Sequence, residues 1–373
     1  MTDSSVSSGL KPVPRPGVMD APIYVPGTHI DESGGDVAIL SANENPAGAS
    51  PMAVDAAGEA AKGLHRYPDG GSVALRQALG ELHGLDPDRI ICGAGSDELI
   101  TFLIRAYAGP GDEVLYSQHG FAMYKITALT VGATPVAAPE TDLRTDVNAI
   151  LSMVSPATKL VFIANPNNPT GSYLSRDEVA KLARDLPGNV ILVLDAAYAE
   201  YVSRNDYGAG EDLVDQYPNV VMLRTFSKIY GLASLRLGWG YGQPDVIGAM
   251  NRLRSPFNVN VPAQLAGLAA VRDQAFVEKS RTDNERWLGW MTAQLTELGL
   301  HVPPSVGNFV LAGFADEETA NRASAFLEGR GIVPRKVGGY GLPTYLRITV
   351  GLERECRMLV DGLKAFLSEE SGS

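Results

Sequence analysis

A single lysine, Lys228, sits in TFSKIYGLASLRLGWGYG, residues 225–242, where most neighbours are apolar or small. An amine in such surroundings loses its charge readily, and a neutral amine is a nucleophile for carbonyl groups. Ser227 stands beside it and Arg236 follows eight residues later; a hydroxyl and a guanidinium are good phosphate ligands. DAAY, residues 195–198, puts Asp195 directly after the apolar NVILVL. A carboxylate ending a buried strand is costly unless it meets a cation or a donor. NPNNPTG, residues 165–171, follows KLVFIA and makes a stiff loop suited to holding one side-chain amide still. CGAGSDE, residues 92–98, is glycine-rich and opens a helical stretch. Free N–H groups at a helix start, with the positive end of the macrodipole, can cradle a phosphate.

Taken singly, each motif has a plainer reading: an N-cap at Ser96 or Asp97, an Asn-Pro turn, a capping aspartate, a lysine reaching solvent. The dinucleotide fingerprint G-x-G-x-x-G fails, because Glu98 stands at its third glycine, and it would leave Lys228 without a role. Together the motifs describe one ligand carrying an aldehyde, a phosphate and a ring nitrogen that wants a carboxylate. That ligand is pyridoxal 5′-phosphate.

The elements that must position these residues alternate in type. RIICG, DEVLYS, TPVAAP, KLVFIAN, NVILVLD, NVVMLRT and LRLGWGYG read as short strands, with helical stretches such as SDELITFLIRAYAG, FAMYKITALTVG and SRDEVAKLARDLPG between several of them. This pattern predicts an α/β fold with a mostly parallel sheet covered by helices on both faces. Ligands of such sheets bind at the carboxyl ends of the strands, where the four motifs fall. After residue 243 helical segments lead to QAFVEKSRTDNERWLGWMTAQLTELGL, then NFVLAGF, DEETANRASAFLEGRG, YLRITVG and a closing helix, which predicts a smaller α/β unit. The expected division is an arm with part of the small domain over residues 1–45, a large cofactor-binding domain over 46–262, and a small C-terminal domain over 263–373. Residues 1–17 read as an extended or disordered arm.

The chain has 373 residues and a formal net charge of −12, which argues against a nucleic-acid partner. Two cysteines, Cys92 and Cys356, make neither a disulfide framework nor a metal site, and no metal is expected. The polar start MTDSSVSSGL is not a signal peptide, and no apolar run is long enough for a membrane span. A cytoplasmic protein without membrane contact is expected.

The combination ANENP, YPDG, GSDE, NNPTG, DAAY, SK with Arg236, GYGLP and LRITVG resembles fold-type I, aspartate-aminotransferase-like enzymes, and within them the histidinol-phosphate aminotransferases. The resemblance runs from about Tyr24 to the last helix. It implies that Lys228 holds pyridoxal phosphate as a Schiff base and shuttles the substrate proton, that Asp195 pairs with the ring nitrogen, and that Asn168 and Tyr198 hold the ring hydroxyl oxygen. It implies further that Phe121 stacks on the ring and that the phosphate rests on Ser96, Asp97, Thr225, Ser227 and Arg236. Tyr67 of RYPDG matches a tyrosine that reaches the phosphate from a neighbouring subunit, which implies a homodimer. Tyr24, Asn43, Arg335 and Arg347 match substrate-side positions. The implied reaction is transamination between histidinol phosphate and 2-oxoglutarate in histidine biosynthesis, with an aromatic amino acid aminotransferase or a dual-specificity enzyme as the alternative. The sequence departs from the pattern at Ala196, where an acid is usual, and at Thr28 and His29, where a basic residue is expected.

Overall fold

The computed structural model describes residues 13–23 and 37–371; Tyr24, Thr28 and His29 lie outside the described residues. The strands are β1 Ala38–Ile39, β2 Ile90–Gly93, β3 Glu113–Ser117, β4 Thr134–Ala138, β5 Glu140–Thr141, β6 Arg144–Thr145 and β7 Thr158–Ala164. They continue with β8 Ile191–Asp195, β9 Val220–Thr225, β10 Gly238–Tyr241, β11 Phe309–Gly313, β12 Ile332–Val333, β13 Arg335–Lys336 and β14 Tyr345–Thr349.

Seven strands build the main sheet in the order β2-β10-β9-β8-β7-β3-β4. The run from β4 to β9 is parallel, whereas β10 is antiparallel to both of its neighbours. Side chains alternate across a strand. Leu160 and Phe162 of β7, Val193 of β8 and Leu223 of β9 therefore face one apolar layer. Val161, Ile163, Leu192, Leu194 and Met222 face the other. Because both faces are buried, these strands read as continuous apolar runs. Burying each such side chain favours the folded state by about 1.5–3 kcal/mol, which keeps the strand ends rigid.

Helices Ser96–Tyr107, Ala122–Val131 and Pro244–Leu253 cover the first face. Val73–His83, Arg176–Asp185 and Val261–Arg272 cover the second. Helix Arg176–Asp185 starts where the sequence signals it, at a capping box between Ser175 and Glu178. Helix Val261–Arg272, which the division at residue 263 gives mostly to the small unit, buries Ala263, Ala266 and Ala270 in the core of the large sheet.

A second sheet, β11-β14-β13, is antiparallel. Its core joins Trp287, Met291 and Leu295 of helix Gln274–Glu297 with Leu327, Leu359 and Leu363. Strand β1 pairs in parallel with β12, which ties the segment leading into SANENP to this smaller layer. Part of the N-terminal arm is packed: Arg15 Nη2 donates to the Thr130 carbonyl at 3.3 Å. A Cβ added at Gly17 would lie 2.2 Å from the Leu129 carbonyl oxygen, so only glycine lets the arm approach that helix end.

Candidate active site

A cavity of about 450 Å³ opens at the carboxyl ends of β7, β8 and β9, walled on the far side by β13 and β14. Asp195, the last residue of β8, forms its floor. The carboxylate is buried, and its Oδ2 accepts a 2.7 Å hydrogen bond from the Tyr124 hydroxyl. Its Oδ1 is buried too and has no hydrogen-bond partner among the described residues. Burial pushes the Asp195 pKa up to about 6 despite the Tyr124 donor.

Lys228 follows β9 and opens into the cavity. Its Nζ donates to the Ala42 carbonyl at 2.9 Å and lies 5.8 Å from the centre of the Tyr198 ring. Although the amine faces the cavity, the surrounding protein desolvates it. Burial, aided by the charge of Arg347, lowers its pKa to about 8. The Tyr198 hydroxyl accepts from Asn43 Nδ2 at 2.9 Å. Burial raises the Tyr198 pKa to about 12, so the phenol stays protonated.

The start of helix Ser96–Tyr107 forms a cup at one end of the cavity. Gly95 caps this helix with φ +86 and no side-chain cap bond. A Cβ there would sit 2.6 Å from Arg236 Nη2, so glycine is what admits the guanidinium. Arg236 donates through Nη1 to Ser227 Oγ at 3.3 Å and through Nη2 to Asp97 Oδ2 at 3.2 Å. Gly238 makes the neighbouring approach, since a Cβ on it would come within 2.4 Å of the Ser96 amide nitrogen. Thr225 Oγ1 accepts from the Ser227 amide at 3.1 Å and fixes the turn before the lysine.

At the other end Arg347 Nη1 donates to Asn168 Oδ1 at 2.6 Å, and Nη2 donates to the Ser41 carbonyl at 2.5 Å. Arg335 lines the same wall. Phe121 closes the side, its ring edge-on to Tyr124 at 5.9 Å between centroids.

The sequence-expected residues on β8, β9, the NNPTG loop, the GSDE helix start and β14 thus converge on one cavity. Two others stand apart. Asn43 is buried behind the wall, where its amide N–H donates to Thr349 Oγ1 at 2.9 Å and its side chain holds Tyr198. Tyr67 is 82% exposed and stacks on Phe257, with ring centroids 4.6 Å apart. The sequence reading missed Tyr124, Glu44 and Tyr340. Tyr124 follows Phe121 by one helical turn in FAMY, and this spacing was the available signal for a residue beneath the ring wall. Glu44 lies in the quoted ANENP and Tyr340 in GYGLP; both line the cavity.

A histidinol-phosphate aminotransferase of Paramagnetospirillum magneticum is 53% identical over 358 residues, covering 95% of this chain and 99% of that one. One of Rhodospirillum rubrum is 53% identical over 367 residues, covering 98% and 100%. The crystal structure of histidinol-phosphate aminotransferase from Sinorhizobium meliloti in complex with pyridoxal-5′-phosphate superposes with a TM-score of 0.89 at 28% identity, covering 97% and 99% of the two chains. The sequence model of the family described as aminotransferase class I and II matches residues 35–363, and with these full-length relatives it shows that the chain belongs to that family.

Proposed function

We propose that this protein is a pyridoxal-phosphate-dependent histidinol-phosphate aminotransferase, exchanging an amino group between histidinol phosphate and 2-oxoglutarate. The observation that carries the chemistry is the pairing, in one cavity, of an amine with a lowered pKa and a buried carboxylate oxygen that has no side-chain hydrogen-bond partner among the described residues. A protonated ring nitrogen is what such an oxygen fits, and a cup holding Arg236 and a free helix start is what a phosphate fits. The choice of substrate is supported by full-length relatives that carry that name.

Asp195, Asn168 and Tyr198 would hold the ring, Phe121 would cover its face, and Ser96, Asp97, Thr225, Ser227 and Arg236 would hold the phosphate. Bound there, the cofactor supplies an electron sink for the bond that breaks at the amine-bearing carbon of the substrate. Asp195 keeps a proton on the ring nitrogen. Tyr124 orients that carboxylate through its 2.7 Å hydrogen bond. Lys228, whose pKa of about 8 leaves part of its population neutral at physiological pH, would take the proton from the amine-bearing carbon and carry it to the carbon on the other side of the amine nitrogen. Arg347 and Arg335 bind the acidic group, and a guanidinium fork accepts a phosphate or a carboxylate equally well. This lets one pair of arginines serve both half-reactions.

A homodimer belongs to this reading. Tyr67 is exposed and stacked on Phe257, itself 43% exposed, and a second copy covering this pair would bring Tyr67 to the partner's phosphate cup. The chain would divide into an arm, a large cofactor-binding domain and a small C-terminal domain, with the second boundary near Asp273, after the helix that packs in the large core. No helix among the described residues is long and apolar enough to cross a membrane. Two buried free thiols, Cys92 and Cys356, accord with the cytoplasm.

Titrating cofactor-loaded protein with histidinol phosphate, tyrosine and glutamate separately, without acceptor, tests the reading. Histidinol phosphate should convert the cofactor's absorption at far lower concentration than tyrosine; the reverse order would overturn the substrate assignment.

A further inference from the structure

The segment Ser41–Asn45 is clamped along its length. Arg347 Nη2 donates to the Ser41 carbonyl at 2.5 Å and Lys228 Nζ to the Ala42 carbonyl at 2.9 Å. Asn308 Nδ2 donates to the carbonyls of Asn43 and Glu44, at 3.0 and 3.2 Å. Asn43 and Asn45 are buried, the latter donating to the Ile229 carbonyl at 2.7 Å and to Ser280 Oγ at 3.1 Å. Between these two fixed asparagines Glu44 is exposed and lines the cavity.

The cavity has two other carboxylates, and both are engaged: Asp195 with Tyr124 and Asp97 with Arg236. The Glu44 carboxylate makes no hydrogen bond or ion pair among the described residues. The order of contacts along the segment is also informative. Ser41 meets the arginine placed for an acidic group, Ala42 meets the amine of Lys228, and Glu44 comes next but one. Asn43 bends the segment with φ +56, so the three steps from Ser41 to Glu44 span less than the roughly 10 Å of extended chain. Histidinol phosphate presents its groups in the same sequence over a comparable length: phosphate, amine-bearing carbon, imidazole.

We propose that Glu44 is a specificity-determining residue that accepts a hydrogen bond from the imidazole ring of the amino donor. The inference rests on the function proposed above and adds the part of the site that reads the ring. Glutamate, the other substrate, carries a second carboxylate where histidinol phosphate carries imidazole. Glu44 therefore attracts one substrate and repels the other.

The test compares half-reaction constants of the cofactor-loaded enzyme and its Glu44→Gln and Glu44→Ala variants with histidinol phosphate and with glutamate. Loss of a hydrogen bond to a charged group should raise the KM for histidinol phosphate about 10-fold or more, with Glu44→Ala at least as impaired as Glu44→Gln. The KM for glutamate should not rise, because a repulsion has been removed. Parallel losses with both substrates would overturn the proposal and make Glu44 an electrostatic neighbour of Lys228 only. Should the unaltered enzyme use tyrosine or phenylalanine in place of histidinol phosphate, the functional reading falls, and this inference falls with it.

Discussion

Arg335 on β13 stands directly opposite Arg347 on β14 in their antiparallel pairing, and both line the cavity. Like charges set opposite each other across a sheet cost stability. Under the proposed function, a doubly charged phosphate or a carboxylate held by both would offset that cost. Arg347→Lys keeps the charge but loses the fork that reaches Asn168 and Ser41. Steady-state kinetics should show KM rising about 10- to 100-fold for both histidinol phosphate and glutamate, while the absorption of bound cofactor is retained.

Lys228→Ala should lower kcat by at least about 100-fold, the contribution of a positioned proton carrier. The variant should still bind cofactor through the phosphate cup, without the visible absorption of the lysine-bound form. In the unaltered protein the rate of cofactor capture should rise with pH through about 8, the lowered pKa of the buried amine. Stopped-flow absorption between pH 6 and pH 10 checks this; a midpoint near the ordinary lysine value would refute it.

Asp195→Asn should separate stability from activity. The folded-state pKa of Asp195 is raised to about 6, so the cofactor-free fold holds a proton that the unfolded chain releases near 4, and stability falls as pH rises through that window. At pH 7.5 the cofactor-free variant should be more stable than the parent by up to about 3 kcal/mol, as a shift of two pKa units implies. Denaturant titration measures that gain. Turnover of the loaded variant should nonetheless fall steeply, because the amide cannot hold the ring nitrogen protonated.

Gly95→Ala places a methyl group 2.6 Å from Arg236 Nη2 at a residue with φ +86. With ψ 163 this is a backbone region that essentially only glycine occupies, costing an L-residue roughly 1–3 kcal/mol, and the guanidinium must move out of the cup. Cofactor affinity should drop about 10-fold or more with the far-ultraviolet circular dichroism unchanged; equilibrium dialysis against pyridoxal phosphate reads the loss.

His83 gives the fold an acid limit. Burial, with the nearby charge of Arg224, lowers its pKa to about 3, and its Nε2 is buried beside Trp239 with no hydrogen-bond partner among the described residues. The unfolded chain takes up a proton below its ordinary value of 6.5 while the folded one does not, so stability is full above that value and is lost as pH falls. Between pH 6 and pH 4 the His83 contribution should fall by roughly 1 kcal/mol per pH unit, opposing the gain from Asp195 in the cofactor-free protein. His83→Phe should flatten this slope in urea titrations.

Much of this was legible in the chain itself. The strands of the main sheet were visible because burial on both faces leaves uninterrupted apolar runs, as in KLVFIA and NVILVL. Their order was not, since the antiparallel insertion of β10 between β2 and β9 depends on contacts far apart in sequence. The hairpin β5–β6 went unseen because two-residue strands carry no periodicity, and its turn puts Asp142 and Leu143 at positive φ, where such turns commonly carry Asn-Gly. Residue type singled out Lys228, Asp195 and Arg236, which line the same cavity. The division of labour in ANENP was hidden: Asn43 turns inward to hold Tyr198, and Glu44, its neighbour, faces the cavity.

The cavity draws its walls from Ile39 at one extreme and Arg347 at the other. Contacts so remote in sequence form late, after local helices and neighbouring strands. Cofactor capture should therefore report the end of folding, because the lysine gains its full cavity only when β14 and the Ser41–Glu44 segment are in place. During refolding, the visible absorption should lag behind secondary structure, making the cofactor a clock for the last assembly step.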